Sequence, residues 1–132
     1  MLKFRLTSDN AAAVDIRLER EAGLISFLFE GVVSEADLYK AQREAENMAS
    51  GHAVRAMIVD VRRSSPGYQA QQLVEPLSAV LEDMMIQRLA FVSTRGRDDV
   101  LGVIEAVSLP YAVRIRAFED GEDARAWVLG LS

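Results

Sequence analysis

The sequence predicts an α/β fold: a mixed, mostly parallel sheet of about five to six strands in sequential order, with four helices. After an opening β segment, apolar runs with strand periodicity alternate with runs of helical periodicity, which is typical of parallel βαβ units. The first and last strands are half-exposed and those between them are apolar. The 132 residues have the usual length of one domain, so we expect a single domain over residues 1–132.

The first three strands are predicted from side-chain alternation. Residues 2–6 and 14–18 alternate apolar with polar side chains, and this period of two predicts half-exposed strands. Residues 21–23 favour a hairpin turn, and residues 24–29, rich in Phe and Leu, form the third strand. We expect Gly31 to end that strand.

The middle of the chain predicts one helix, one buried strand and a second helix. Ser34 and Asp37 have the spacing of a capping box, and Gly51 ends the helix that follows. Residues 56–61 are apolar except for Asp60, which is typical of a strand buried on both faces. Residues 62–69 are predicted as a loop, and residues 70–86 as a helix that Pro76 kinks or splits.

The last third predicts two more strands and two more helices. Residues 89–92 form a short buried strand, residues 98–107 a helix, and residues 113–117 a half-exposed edge strand. Asp120 caps the final helix. Sequential right-handed crossovers place most helices on one face of the sheet. The apolar strands therefore need cover on the other face, from a helix placed differently, a second subunit or an apolar ligand.

The composition narrows the classes of function. The net charge is −5, and all but two of the 15 basic residues are arginine; since no basic run occurs, we expect no nucleic-acid partner. The absence of cysteine excludes a disulfide scaffold and fits a reducing cytoplasm. The N-terminal residues lack the apolar core of a signal peptide, and no apolar run reaches the roughly 18–20 residues of a membrane span. We expect a cytoplasmic protein.

Four stretches resemble a known family. They are ISFLFEGVVSEADL (25–38), RAMIVDVRRS (55–64), RLAFVST (88–94) and VRIRAFEDGEDARAWV (113–128). Over about residues 14–130 the chain resembles the SpoIIAA-like, or STAS/SEC14-like, family of small bacterial proteins. The resemblance implies the SpoIIAA-like (STAS) fold and a regulatory or binding role.

The resemblance raises the question of a phosphorylated serine. Anti-sigma-factor antagonists of this fold carry Asp-Ser-Ser/Thr-Gly at a strand-to-helix junction, and a kinase phosphorylates the serine. Ser65 aligns with that phosphoacceptor, with Ser64 as a second candidate. However, Ser64 replaces the aspartate and Pro66 replaces the second hydroxyl residue. We therefore favour the alternative, a Ser-Pro-Gly turn that caps the next helix.

Arginines follow two neighbouring strands at their carboxyl ends, where ligands bind in open α/β sheets. This candidate anion site consists of Arg62, Arg63, Arg95 and Arg97. The alternative is a surface network in which Asp60, Asp98 and Asp99 pair with these arginines. The count of charges favours the network.

An apolar surface is predicted on two helices, the one over residues 98–107 and the one that precedes it. Residues 99–109 are apolar nearly all round the helix, which indicates burial on more than one side. The preceding predicted helix carries Met84 and Met85, and methionine is common on contact surfaces. The candidate groove or interface consists of Met84, Met85, Val100, Leu101 and Ile104. Core packing, a homodimer interface and an apolar ligand site remain the three alternatives, and the SEC14 resemblance implies a lipid-like ligand.

No catalytic, cofactor or metal constellation is identified. His52 is the single histidine and cannot supply a metal cluster, and Asp60 lacks an identifiable base or nucleophile. The sequence therefore predicts a non-enzymatic binding or regulatory module that acts through protein–protein contacts, including self-association as a homodimer. The alternative is a protein that binds a small apolar, lipid-like or phosphorylated ligand.

Overall fold

The computed structural model describes residues 1–8, 11–94 and 98–131. In these residues six strands form one sheet in chain order. They are β1 (Leu2–Thr7), β2 (Ala13–Glu19), β3 (Leu24–Val33), β4 (Ala56–Pro66), β5 (Arg88–Val92) and β6 (Arg114–Phe118). The β1–β2 and β2–β3 pairs are antiparallel, and the pairs from β3 to β6 are parallel. The predicted mixed sheet in sequential order is confirmed.

Four α-helices lie in the described chain, as the sequence predicts. They are α1 (Glu35–Ala49), α2 (Val74–Asp83), α3 (Asp98–Ser108) and α4 (Gly121–Val128), with short 3₁₀ turns at Ala70–Leu73 and Leu109–Tyr111. Helices α1, α2 and α3 pack against one face of the sheet, which we call the three-helix face, and form the main core with it. Helix α4 packs on the opposite face, the α4 face.

Helix α4 supplies the cover that the apolar strands need on their second face. Its Ala124 and Val128 are buried in a cluster with Ala56, Ala90 and Val92 of the sheet. A helix packed on the second face, one of the three alternatives left open by the sequence, therefore covers the strands from β4 to β6. Such small side chains allow the helix axis to approach the strands closely.

The N-termini of α1 and α4 are capped as predicted. The Ser34 hydroxyl accepts from the Asp37 backbone N–H at 3.2 Å, while the Ser34 backbone N–H donates to the Asp37 carboxylate at 2.9 Å. Asp120 accepts from the backbone N–H of Glu122 at 2.7 Å. Both caps satisfy donors that a helix terminus leaves unpaired.

The predicted loop over residues 62–69 is wrong in its first half. Strand β4 continues to Pro66, and Ser64 and Ser65 lie in register with Gly31 and Val32 of β3. The reason is that Gly31 does not end β3. It lies within that strand at φ +76°, a conformation that glycine adopts without steric cost, and β3 therefore still offers β4 a hydrogen-bonding partner.

The predicted helix over residues 70–86 is shorter and divided. A 3₁₀ turn precedes α2, and Pro76 lies in the first turn of α2, where its missing N–H breaks no helical bond. The helix ends at Asp83, and Met84 is already extended at φ −118°, ψ 144°. The expectation that Met84 and Met85 lie on this helix is therefore wrong.

Candidate functional site

A β-bulge in β4 shapes the candidate site. Leu28 lies opposite Asp60, but Glu30 lies opposite Arg63, so β4 carries one extra residue at this point. A bulge of this kind changes the face toward which the following side chains point. As a result Val61 and Ser64, which a regular strand would direct to opposite faces, both line the same cavity. The Ser64 hydroxyl donates to the Val61 carbonyl at 3.1 Å.

The cavity lies between the three-helix face of the sheet and the helices that cover it. Its volume is about 80 Å³. Side chains of β3, β4 and β5 form its floor, and Leu38 of α1, Leu77 of α2 and Ile104 of α3 form its walls. The cavity therefore lies under all three helices.

One row of the sheet crosses the floor of the cavity. Phe27, Val59 and Phe91 are neighbours in register on β3, β4 and β5. Phe27 and Phe91 are buried, but Val59 is only half-buried, although it lies in a central strand under the helices. All three side chains line the cavity, and the valine is the shortest of them.

Three neutral polar side chains also line the cavity. They are Gln42 of α1, Ser64 of β4 and Tyr68, which follows β4. The Gln42 amide nitrogen donates to the Glu46 carboxylate at 3.1 Å. Among the lining residues that the structure describes, none is Asp, Glu, Lys, Arg or His. The cavity thus offers apolar contact and a few uncharged hydrogen-bonding groups, which is the usual composition of a small-molecule site.

The candidate anion site is only partly within the described residues. Arg62 forms an ion pair with Asp60, with Nη2 to Oδ2 at 2.7 Å and Nε to Oδ1 at 3.1 Å. The Asp60 carboxylate, through this hydrogen bond, raises the pKa of Arg62 above its ordinary value. The Arg62 Nη1 also donates to the Glu119 carbonyl at 3.4 Å. Arg62 is therefore occupied in the way that the alternative of a surface network predicts.

The other three arginines leave the anion-site hypothesis open. Arg63 is exposed on β4 and lies in register with Glu30 of β3. Arg95 and Arg97 lie outside the described residues. That the four arginines lie together at the carboxyl ends of two neighbouring strands stays a prediction.

The two candidate phosphoacceptors lie within β4 and not at a strand-to-helix junction. Ser64 is buried, and Ser65 is exposed. The expected serine cap is wrong, because Gln69 occupies the N-cap position of the following 3₁₀ turn. The backbone N–H of Gly67 donates to the Val33 carbonyl at 2.7 Å, so pairing with β3 extends past both serines. Phosphorylation of either serine stays a prediction.

The five residues of the predicted apolar groove are distributed among four environments. Val100 and Ile104 line the cavity, and Met84 is buried in the main core. Leu101 is half-buried, and Met85 is 88% exposed. Sequence reasoning missed the cavity floor, because the Phe27–Val59–Phe91 row becomes visible only when the strand register is known.

The described residues contain no group of three or more His, Cys, Asp or Glu side chains arranged to hold a metal ion. None of the helices in the described ranges has the length and apolar character that crossing a membrane requires.

Comparison with known proteins identifies the fold. The chain is similar to the crystal structure of an uncharacterised protein of the DUF3478 family, with a SpoIIAA-like fold, from Shewanella loihica PV-4. The TM-score is 0.64 at 14% sequence identity, and the match covers 93% of this chain and 98% of that one. No family model matches the sequence, and no curated protein matches it significantly. The predicted SpoIIAA-like fold is confirmed.

Proposed function

We propose that this protein is a non-catalytic binding module that takes up a small, mostly apolar molecule in the cavity under α1, α2 and α3. The observation that carries the proposal is the cavity of about 80 Å³ beside Val59, which lies between two buried phenylalanines in the centre of the sheet. A central-strand side chain on a covered face is normally packed against its helices. Here the helices leave a space above it.

The free energy of the empty cavity supports this proposal. At about 24 cal/mol per Å³ for a closed cavity, a space of about 80 Å³ that is partly open to solvent costs at most roughly 2 kcal/mol. A ligand that fills the space regains this packing energy. The cavity is lined mainly by aliphatic and aromatic side chains, so the ligand gains the same contacts that a core side chain would make.

The size of the cavity sets the scale of the affinity. Each methylene group moved from water into an apolar environment contributes about 0.8 kcal/mol. Six such groups give at most roughly 5 kcal/mol, which sets a lower limit of about 0.3 mM on the dissociation constant. A six-carbon alcohol is therefore a suitable first probe.

Two neighbouring substitutions in β4 test the proposal. Val59 and Ile58 point to opposite faces of the sheet, so Val59→Phe fills the cavity whereas Ile58→Phe adds the same ring on the α4 face. We expect 1-hexanol to shift the amide NMR signals around the cavity in the wild type and in Ile58→Phe. In Val59→Phe the affinity falls at least about tenfold, because an occupied site excludes the probe. Equal affinity in all three proteins would contradict the proposal.

A second candidate function, protein–protein contact, is favoured by one observation. Met85 and Leu109 are 88% and 79% exposed, and large exposed apolar side chains are found on contact surfaces. Light scattering tests self-association through these side chains. We expect the mass of the wild type to rise with concentration and the double substitution Met85→Ser/Leu109→Ser to reduce this rise. A wild type that stays monomeric at all concentrations would exclude self-association as a homodimer.

A further inference from the structure

We infer that the cavity selects an electrically neutral molecule with one uncharged polar group, such as an alcohol, over an ion of the same length. This inference rests on the proposed function and specifies the chemical class of its ligand. Three observations support it: where the buried charges of the protein are directed, which polar side chains line the cavity, and how large the cavity is.

The buried carboxylates of the described chain are directed away from the cavity. Asp37 and Asp60 are the only charged side chains that are buried among the described residues. The Asp37 carboxylate accepts from the backbone N–H of Ser34 in the capping box at 2.9 Å. The Asp60 carboxylate binds the Arg62 guanidinium at 2.7 Å. Both residues are next to lining residues in the sequence, yet neither lines the cavity.

The environment within the cavity is therefore unfavourable to an ion. A charged group that enters an apolar site loses its hydration, and it regains that energy only if an opposite charge or several hydrogen bonds replace the water. The described lining offers no opposite charge for a carboxylate or for an ammonium group. The desolvation penalty opposes both signs of charge.

A neutral polar group has a suitable partner. The Gln42 amide oxygen can accept a hydrogen bond, and the hydroxyl groups of Ser64 and Tyr68 add uncharged polar surface. These three side chains come from three different parts of the fold, namely α1, β4 and the segment after β4. A hydroxyl group on the ligand can donate to the Gln42 amide oxygen without bringing a charge into the cavity.

The volume sets the length of the ligand. An apolar cavity of about 150 Å³ binds benzene, which has six non-hydrogen atoms, so about 80 Å³ encloses roughly three non-hydrogen atoms. 1-Hexanol places part of its alkyl chain in this space, and the rest extends toward the opening of the cavity. We expect affinity to rise along the series from 1-butanol to 1-hexanol and to stop rising before 1-decanol.

A set of probes with equal chain length tests the inference. We measure the binding of 1-hexanol, hexanoate and hexylammonium to the full chain at pH 8 by NMR titration, with Val59→Phe as the control for the site. We expect the alcohol to bind at least about tenfold more tightly than either ion, because each ion must be dehydrated. The apparent dissociation constant of hexanoate should fall about tenfold for each unit by which the pH is lowered from 8 to 6. The reason is that only the protonated acid enters the cavity.

The outcomes separate this inference from the proposed function. If hexanoate or hexylammonium binds as tightly as 1-hexanol at pH 8, and Val59→Phe abolishes that binding, the cavity is a ligand site but the selection for neutral molecules is wrong. If hexanoate affinity does not change with pH, the inference is likewise overturned. If none of the three probes binds, both the inference and the proposed function are wrong.

Discussion

The two faces of the sheet are packed differently, although the same strands form both. On the α4 face the contact uses small side chains, and Ala90 and Ala124 are completely buried. On the three-helix face, Phe27 and Phe91 are large, yet Val59 between them remains half-buried. On the α4 face Ile58 is also half-buried, but it lies against the α4 cluster. The cavity belongs to the three-helix face, where side chains of β3, β4, β5 and the three helices line it.

Enlarging a side chain on each face gives the largest expected difference. Ala124→Leu forces extra volume into the closely packed α4 face, and we expect it to lower the free energy of unfolding by about 1–3 kcal/mol. Val59→Leu adds one methylene group where space exists, so we expect a change within about 0.5 kcal/mol, of either sign. Urea unfolding measures both. Equal destabilisation by the two substitutions would show that the two faces are packed alike.

A smaller effect is expected at Ser108, which is completely buried near the end of α3. Its hydroxyl has no hydrogen-bond partner among the residues that the structure describes. A buried polar group without a partner costs about 1–3 kcal/mol, so Ser108→Ala should raise the free energy of unfolding by about 1 kcal/mol. Ser65→Ala, at an exposed serine of β4, is the matched control and should change it by less than about 0.5 kcal/mol. Destabilisation by Ser108→Ala would mean that the hydroxyl does have a partner.

The smallest expected effect is on the pH dependence of the free energy of unfolding. A contact on the α4 face loses its contribution in acid, and a contact on the three-helix face loses its contribution in alkali. Arg125 of α4 donates to Glu19 of β2 at 2.7 Å, and this hydrogen bond holds the pKa of Glu19 below its ordinary value of 4.5. The pair therefore stabilises the fold above about pH 4.5, and its contribution is lost as the pH falls through the lowered pKa. Because the pair is partly exposed, we expect less than about 1 kcal/mol.

On the three-helix face the loss occurs in alkali instead. Tyr39 of α1 donates to Glu75 of α2 at 2.7 Å, and that carboxylate raises the pKa of Tyr39 above 10.0. This contribution is present below pH 10 and is lost as the pH rises through the raised pKa. In unfolding experiments across pH, Glu19→Gln should flatten only the acid side of the profile and Tyr39→Phe only the alkaline side. A substitution that flattens the opposite side would contradict the assignment.

The order of the strands could be predicted from the sequence because it depends on local patterns. Side-chain alternation in residues 2–6 and 14–18 and the capping residues Ser34 and Asp120 are visible without any tertiary information. The extension of β4 to Pro66 was not predictable in this way, since it requires β3 to continue through Gly31, which in a sequence is typical of a strand end.

The cavity could not be predicted because it depends on register and on the choice of face. The sequence places Phe27, Val59 and Phe91 in three separate strands, and only the pairing of β3, β4 and β5 aligns them in one row. A single extra residue at the bulge then decides that Ser64 lines the cavity. Val100 and Ile104 were named from helical periodicity alone, which predicts that a side chain is buried but not whether it meets another side chain or a space.

A crystal of the protein soaked with 6-bromohexan-1-ol provides the most direct test of the ligand site. Anomalous diffraction locates the bromine atom without assumptions about the alkyl chain. The proposed function predicts a bromine peak between Phe27, Val59 and Phe91, within van der Waals contact of about 4 Å of their side chains. Bromine peaks confined to the surface, for example at the exposed Met85 or Leu109, with none in the cavity, would contradict it.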